Sequence, residues 1–230
     1  MGRIIRIITT TLLAGAFIAL MVFNVSSTST ADAPWDQATT MGNFESKNHY
    51  IFYTDLMCPY CDAYSRLVSD HKTEFQRDYI EGKDILYEIR LTDFLYEYGE
   101  HKTEYSRQSA EATYCAARAD KFWEYYEAAL AQLWTDYHSK GIGVSKTSPQ
   151  ITDITDQYWL SIGEQIGLDQ TFQDCYQNHD TVDQIKANTA KAAKVVESGL
   201  PYFKFGKFST GGFDQSWDWS YVKQYLDAGL

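Results

Sequence analysis

The sequence predicts an α/β fold: a βαβ half and a ββα half share one mixed sheet, a long all-helical insertion separates them, and a hydrophobic helix precedes them. Three observations carry this reading. An apolar run and an alternating run bracket one amphipathic helix early in the chain. Helical periodicity then holds without a strand from about residue 100 to residue 198. After Leu200-Pro201 the strand period returns in two short segments around Gly206-Lys207, followed by a closing helix. With 230 residues, 44% hydrophobic and 22% charged, the composition excludes a wholly disordered chain and leaves room for one domain with an insertion.

The first segment reads as an address. Arg3 and Arg6 precede an uncharged stretch, residues 7–31, whose apolar centre is long for a secretion signal and marginal for a membrane span. The two arginines keep the N-terminus in the cytoplasm by the positive-inside rule, so the rest is exported. Ala31-Asp32-Ala33 has the pattern of a cleavage site, but Pro34 follows it directly; Ser29-Thr30-Ala31 is a second candidate. Residues 1–33 are therefore either a signal peptide or a membrane anchor with its linker. Either way the body, residues 41–230, lies in an oxidising compartment, anchored outside the cytoplasm or released into the periplasm or medium. Twenty basic against 31 acidic residues give a net charge of −11, which argues against nucleic acid as a partner.

Taken in order, residues 49–53 are apolar and aromatic with no turn former and read as a buried strand. A helix over 59–79 follows, with Tyr60, Tyr64, Leu67, Val68, His71, Phe75 and Tyr79 on one face. Residues 84–91 alternate Ile85, Tyr87, Ile89 and Leu91 against Leu86, Glu88 and Arg90, a strand with Glu88 on its solvated side. In the insertion, residues 103–119 and 121–138 are helical, Ser148 caps a helix opened by Pro149, Gly167 ends it, and Asp169 caps the next. Asp180 caps a further helix reaching Glu197. Residues 202–205 and 208–211 form a hairpin, and residues 217–226 the last helix.

The chemistry falls where the first strand meets the first helix, at Cys58-Pro59-Tyr60-Cys61. A thiol at a helix start faces unpaired backbone N–H groups and the positive end of the helix dipole, both of which favour thiolate. Cys61 lies one turn along the same face, within reach of a disulfide. Pro59 brings the φ that the first helical turn prefers. Cys58 is thus expected to be the exposed nucleophile and Cys61 the buried resolving thiol. Half of a zinc site and an inert structural bridge are the other readings, and the chain has no second C-x-x-C to complete a zinc site.

The segment from Tyr53 to Cys61 resembles the active-site segment of DsbA-like thiol–disulfide oxidoreductases, a branch of the thioredoxin-fold superfamily. Met41-Gly42-Asn43 is similar to that family's lead-in strand, Ala110 to Leu130 with Cys115 and Phe122-Trp123-Glu124-Tyr125 to its first inserted helices, and Gly199-Leu200-Pro201 to the loop before its third core strand. The resemblance spans residues 41–230, with the helical insertion at about 100–198. It implies a thioredoxin fold and a catalytic pair Cys58 and Cys61 around the dipeptide Pro59-Tyr60. It also implies a cis-proline at Pro201 that, with Leu200, binds substrate backbone. Cys115 and Cys175 match a pair that many members carry as a structural disulfide; two buried free thiols are the alternative.

The implied partners are secreted or cell-surface proteins with cysteines, the membrane through the N-terminal helix, and a membrane quinone-linked thiol reoxidase. No metal, nucleotide or other cofactor is implied. The sequence also departs from the pattern. Tyr60 replaces the histidine often found there, which makes the pair a weaker oxidant and points towards reductase or isomerase work. Phe52 occupies the place of a buried acid six residues before the nucleophile, leaving Asp55 and Glu88 as candidates for proton transfer to Cys61. Leu200 replaces a threonine and makes the groove more apolar. A peptide-binding chaperone with a structural disulfide is the reading from another class. His49, His101, His138 and His179 show no ligand spacing and read as surface or packing residues.

Overall fold

Strand β2, Asn48–Thr54, is the axis of the molecule, and it is buried from Tyr50 onwards. In this computed structural model, which describes residues 34–99, 104–212 and 217–230, β2 pairs in parallel with β3, Ile85–Leu91, from Asn48↔Ile85 to Thr54↔Leu91. On its other edge it pairs antiparallel with β4, Tyr202–Phe205, which turns through Gly206-Lys207 into β5, Phe208–Gly211. The two-residue strand β1, Thr40–Met41, closes the far edge, giving the order β1-β3-β2-β4-β5. This is the mixed sheet of a thioredoxin fold. The predicted signal or anchor helix and His101 lie outside the described residues, among which no helix is long and apolar enough to cross a membrane.

Both faces of the sheet are covered. Tyr50 and Phe52 face the main core, where Phe52 stacks on Phe203 with ring centroids 5.2 Å apart and Tyr64 packs on Phe203 at 4.5 Å. Ile51 and Tyr53 face a smaller cluster with Ala192 and Tyr202. Double burial explains why the β2 sequence runs apolar instead of alternating.

It also overturns the placing of Glu88 on a solvated face. All of β3 is buried, and Glu88 and Arg90 are fully enclosed as a pair, with Arg90 Nε donating to Glu88 Oε2 at 2.8 Å. Trp35 N donates to Glu88 Oε1, and its ring lies 4.4 Å from the Arg90 guanidinium. Charged residues at alternate positions mark a strand but do not say whether water or a partner satisfies them.

The first helix is interrupted. Helix α1 spans Pro59–Asp70, the backbone leaves helical geometry at His71, and α2, Lys72–Phe75, runs into a π-helical turn at Gln76–Glu81. The break falls where the His71 ring stacks on Trp219, 4.9 Å between centroids, in the closing helix α9, Trp219–Gly229. Tyr60, expected on the apolar face, is 41% exposed because the first turn of α1 borders an open groove.

Between β3 and β4 lie α3, Phe94–Glu97; α4, Glu104–Ala117; α5, Phe122–Asp136; α6, Asp156–Gln165; α7, Gln170–Gln177; and α8, Val182–Ala192. Cys115 of α4 and Cys175 of α7 are joined by a disulfide. Asp169 caps α7 by accepting from Thr171 N.

Two caps differ from the sequence reading. Ser148 opens no helix: its hydroxyl donates to Ser145 O at 2.8 Å and accepts from Ser145 N, closing a turn, and α6 starts only at Asp156. Asp180 does not cap α8, whose N-cap is Thr181. Instead, Asp180 lies against Arg118, which donates from Nη2 to the Asp180 carbonyl at 2.8 Å. Helix α8 stops at Ala192, short of Glu197, and Val195 and Val196 turn onto the cluster under β2.

Candidate functional site

The site forms at the C-terminal end of β2. Beyond Thr54 the chain makes a tight turn in which Cys58 N donates to Asp55 O at 3.0 Å, and Cys58 becomes the N-cap of α1 with Pro59 in its first turn. The Cys58 side chain makes no capping hydrogen bond; its Sγ lies 3.7 Å from the carbonyl oxygen of Leu200. The Leu200–Pro201 peptide bond is cis. Cys58 is not the open thiol the sequence suggested: it is only 5% exposed, because the loop before β4 folds down over it. It still lines a groove of about 660 Å³, and Cys61 does not, being fully buried.

Cys58 and Cys61 are both free thiols. Burial pushes the Cys61 thiol well above the ordinary range, and the neighbouring Cys58 adds to this; the Asp55 N–H and the Thr54 hydroxyl act the other way. Such a thiol stays protonated until something takes its proton.

The groove is built largely by the insertion. Leu95, Tyr105, Val144 and Ile151 face Met57, Tyr60 and Leu200 across it. Nothing in the spacing of the loop after α5 marked it as part of the site; only the return of the chain over α1 brings it there. The return is held by a buried contact between Asp62, next to Cys61, and His138, whose Nδ1 lies 2.7 Å from Asp62 Oδ2. His138 thus packs, buried, against the helix that carries the cysteines.

Asp55 is fully buried and ties three segments together. Its Oδ1 accepts from Met57 N at 2.9 Å, and its Oδ2 accepts from Leu95 N at 2.9 Å and from the Ser106 hydroxyl at 2.6 Å. Burial raises its carboxyl to about 6 against the pull of these donors. With both oxygens occupied it is a joint between the active-site turn and the insertion. Glu88 is engaged by Arg90, Trp35 and His49 beside Ile51, on the sheet face away from α1. Neither candidate for proton transfer faces Cys61. Among the described residues no group of three His, Cys, Asp or Glu side chains is placed to hold a metal ion.

Fold and site together define a thioredoxin-fold protein with a reduced C-x-x-C at the start of a helix, facing a cis-proline loop. A family model described as thioredoxin matches residues 36–207, and the chain belongs to that family. No curated protein matches the sequence.

Solved structures similar to it include the thiol-disulfide exchange protein alpha-DsbA2 from Wolbachia pipientis, 19% identical over 86% of this chain and 90% of that one, TM-score 0.58. BdbD from Bacillus subtilis is 15% identical over 86% of this chain and 95% of that one, TM-score 0.60. A periplasmic thioredoxin-like protein from Salmonella enterica serovar Typhimurium is 17% identical over 86% and 94%, TM-score 0.55. The fold therefore has the DsbA-like form, with its helices inserted between β3 and β4.

Proposed function

We propose that this protein is an extracytoplasmic thiol–disulfide oxidoreductase of DsbA-like type, acting on cysteines of secreted or cell-surface proteins. The observation that carries the reading is the position of Cys58: at a helix N-terminus, at the edge of an apolar groove, 3.7 Å from the Leu200 carbonyl, with Cys61 one turn behind it. The neighbours named as a thiol-disulfide exchange protein and as periplasmic support the chemistry and the compartment. The Cys115–Cys175 bridge also fits an oxidising compartment.

In the oxidative direction a substrate thiolate attacks Cys58 of the oxidised pair, forming a mixed disulfide and releasing Cys61 as a thiolate. A second substrate thiolate then attacks the substrate sulfur and releases Cys58. The reduced pair passes its electrons to a membrane quinone-linked thiol reoxidase. The N-terminal segment holds the protein at the membrane or, if removed, releases it.

A trapping experiment tests the reading. Cys61→Ser is expected to accumulate mixed disulfides with an unfolded client that carries a disulfide, its Cys58 thiolate displacing one client thiol, and Cys58→Ser to form none. A Cys61→Ser protein that traps nothing, or equal trapping by both variants, overturns the assignment. A client-refolding assay with no turnover but suppressed aggregation would favour the chaperone reading.

Tyr60 between the cysteines favours a second direction, reduction or isomerisation. Equilibration of the pair with glutathione separates the directions, because a reductase keeps its disulfide to more reducing potentials than an oxidant does.

A further inference from the structure

Arg77, Arg90, Arg107 and Arg118 each pair with a carboxylate, as a chain with 31 acidic against 20 basic residues leads one to expect. Among the described residues Arg66 pairs with none. Its guanidinium is half-buried over the Trp134 ring of α5, 3.7 Å from the centroid. A guanidinium seated on a ring face keeps its N–H donors for an anion. Arg66 also stands in a second groove, of about 560 Å³. The α1 wall of this groove is the stripe Pro59, Ala63, Arg66, Leu67 and Asp70, spaced i, i+4, i+7, i+8 and i+11, which is one face of a helix. The stripe starts beside Cys58. Pro59 and Val144 line both this groove and the one at the cysteine, so the two adjoin at the first turn of α1.

We propose that this second groove holds the client segment flanking the cysteine captured at Cys58, and that Arg66 selects clients with an Asp or Glu carboxylate about four residues from that cysteine. The inference rests on the exchange reading above and adds a client class to it. The spacing follows from the helix. Arg66 stands eight residues after Cys58, about 12 Å along the axis at 1.5 Å per residue. An extended segment covers that distance in about four residues at roughly 3.3 Å each. Ala63 and Leu67 give the intervening residues an apolar floor. Asp70 lies one turn beyond Arg66, so the attraction ends there and an acid placed further along gains nothing. His138, the other titratable group in the groove, is engaged by Asp62. An anionic membrane surface would offer negative charge too, but a chain of net charge −11 is repelled by it, and the stripe leads to the cysteine.

The probes are peptides with one cysteine carrying a thiopyridyl group and with Glu, Gln or Lys at that spacing, before or after the cysteine. The Cys58 thiolate of the reduced protein attacks the peptide sulfur, the Cys58–peptide disulfide forms, and thiopyridone leaves and is followed by its absorbance as peptide concentration rises. The expected result is a half-saturating concentration about five-fold lower for Glu than for Gln on one side of the cysteine, with Lys weaker still and the maximum rate unchanged. The preference is expected to fade with added salt, to vanish in Arg66→Gln and to turn towards Lys in Arg66→Glu. Equal saturation by Glu, Gln and Lys, a Glu preference that persists at twice the spacing, or one that survives Arg66→Gln overturns the proposal. Should the Arg66 variants fail to fold, the peptide series on the unaltered protein decides alone. Equal peptides together with Arg66-dependent binding to phosphatidylglycerol vesicles would give the groove to a membrane and overturn the client assignment. A protein that releases no thiopyridone from any peptide overturns the exchange reading and the proposal with it; release from all of them at one half-saturating concentration overturns the Arg66 selection only.

Discussion

Asp62 and His138 are 76 residues apart and meet at 2.7 Å with both side chains closed to solvent. One follows Cys61 on α1. The other stands at the end of α5, where the chain leaves for the groove-lining loop. The contact fixes the helix of the thioredoxin core against the insertion at the level of the active site.

Breaking it from one side is expected to be costly. His138→Ala leaves the Asp62 carboxylate buried without its partner and should lower stability by about 3–5 kcal/mol. The double variant Asp62→Ala/His138→Ala should cost less than the sum of the two single changes. Denaturant titration of the four proteins checks this; additive losses would show that the pair does not interact.

Asp55 gives the protein a pH signature. Its carboxyl is raised to about 6 in the folded state, above the ordinary value, so the folded protein holds this proton more tightly than the unfolded chain. Its contribution to stability is therefore full below about pH 4 and is lost as pH rises to about 6, by about 3 kcal/mol. Unfolding free energies between pH 4 and 7, compared with Asp55→Asn, read the effect. A variant that retains the same slope would assign it to another group.

The Cys115–Cys175 bridge closes a loop of sequence separation 60, worth about 4 kcal/mol in the chain-entropy account. The double variant Cys115→Ala/Cys175→Ala is expected to melt well below the parent while keeping turnover at temperatures where it stays folded. Unchanged melting, or turnover lost in a folded variant, would contradict a purely structural role.

Leu200, whose carbonyl oxygen lies 3.7 Å from Cys58 Sγ, also lines the groove. Leu200→Ala should raise KM for clients with apolar residues beside the cysteine by up to about ten-fold and leave kcat near its parent value. Steady-state kinetics on paired peptides, apolar and polar, decides; an equal change for both would remove Leu200 from specificity.

The sequence alone determined the order of elements, the split of the sheet by the insertion, and Cys58 and Cys61 at a strand–helix junction. These depend on local periodicity and on spacing within a turn or two, which the chain carries without its tertiary contacts. Only the tertiary structure decided the rest. Glu88 read as solvated and lies buried with Arg90, because alternation does not report what covers the second face of a sheet. Asp55 stood as a candidate for proton transfer and instead joins three segments, which the sequence hid because its partners Leu95 and Ser106 lie far along the chain. His138 showed no spacing to any ligand, since its partner is on another helix, and the groove loop after α5 showed no motif.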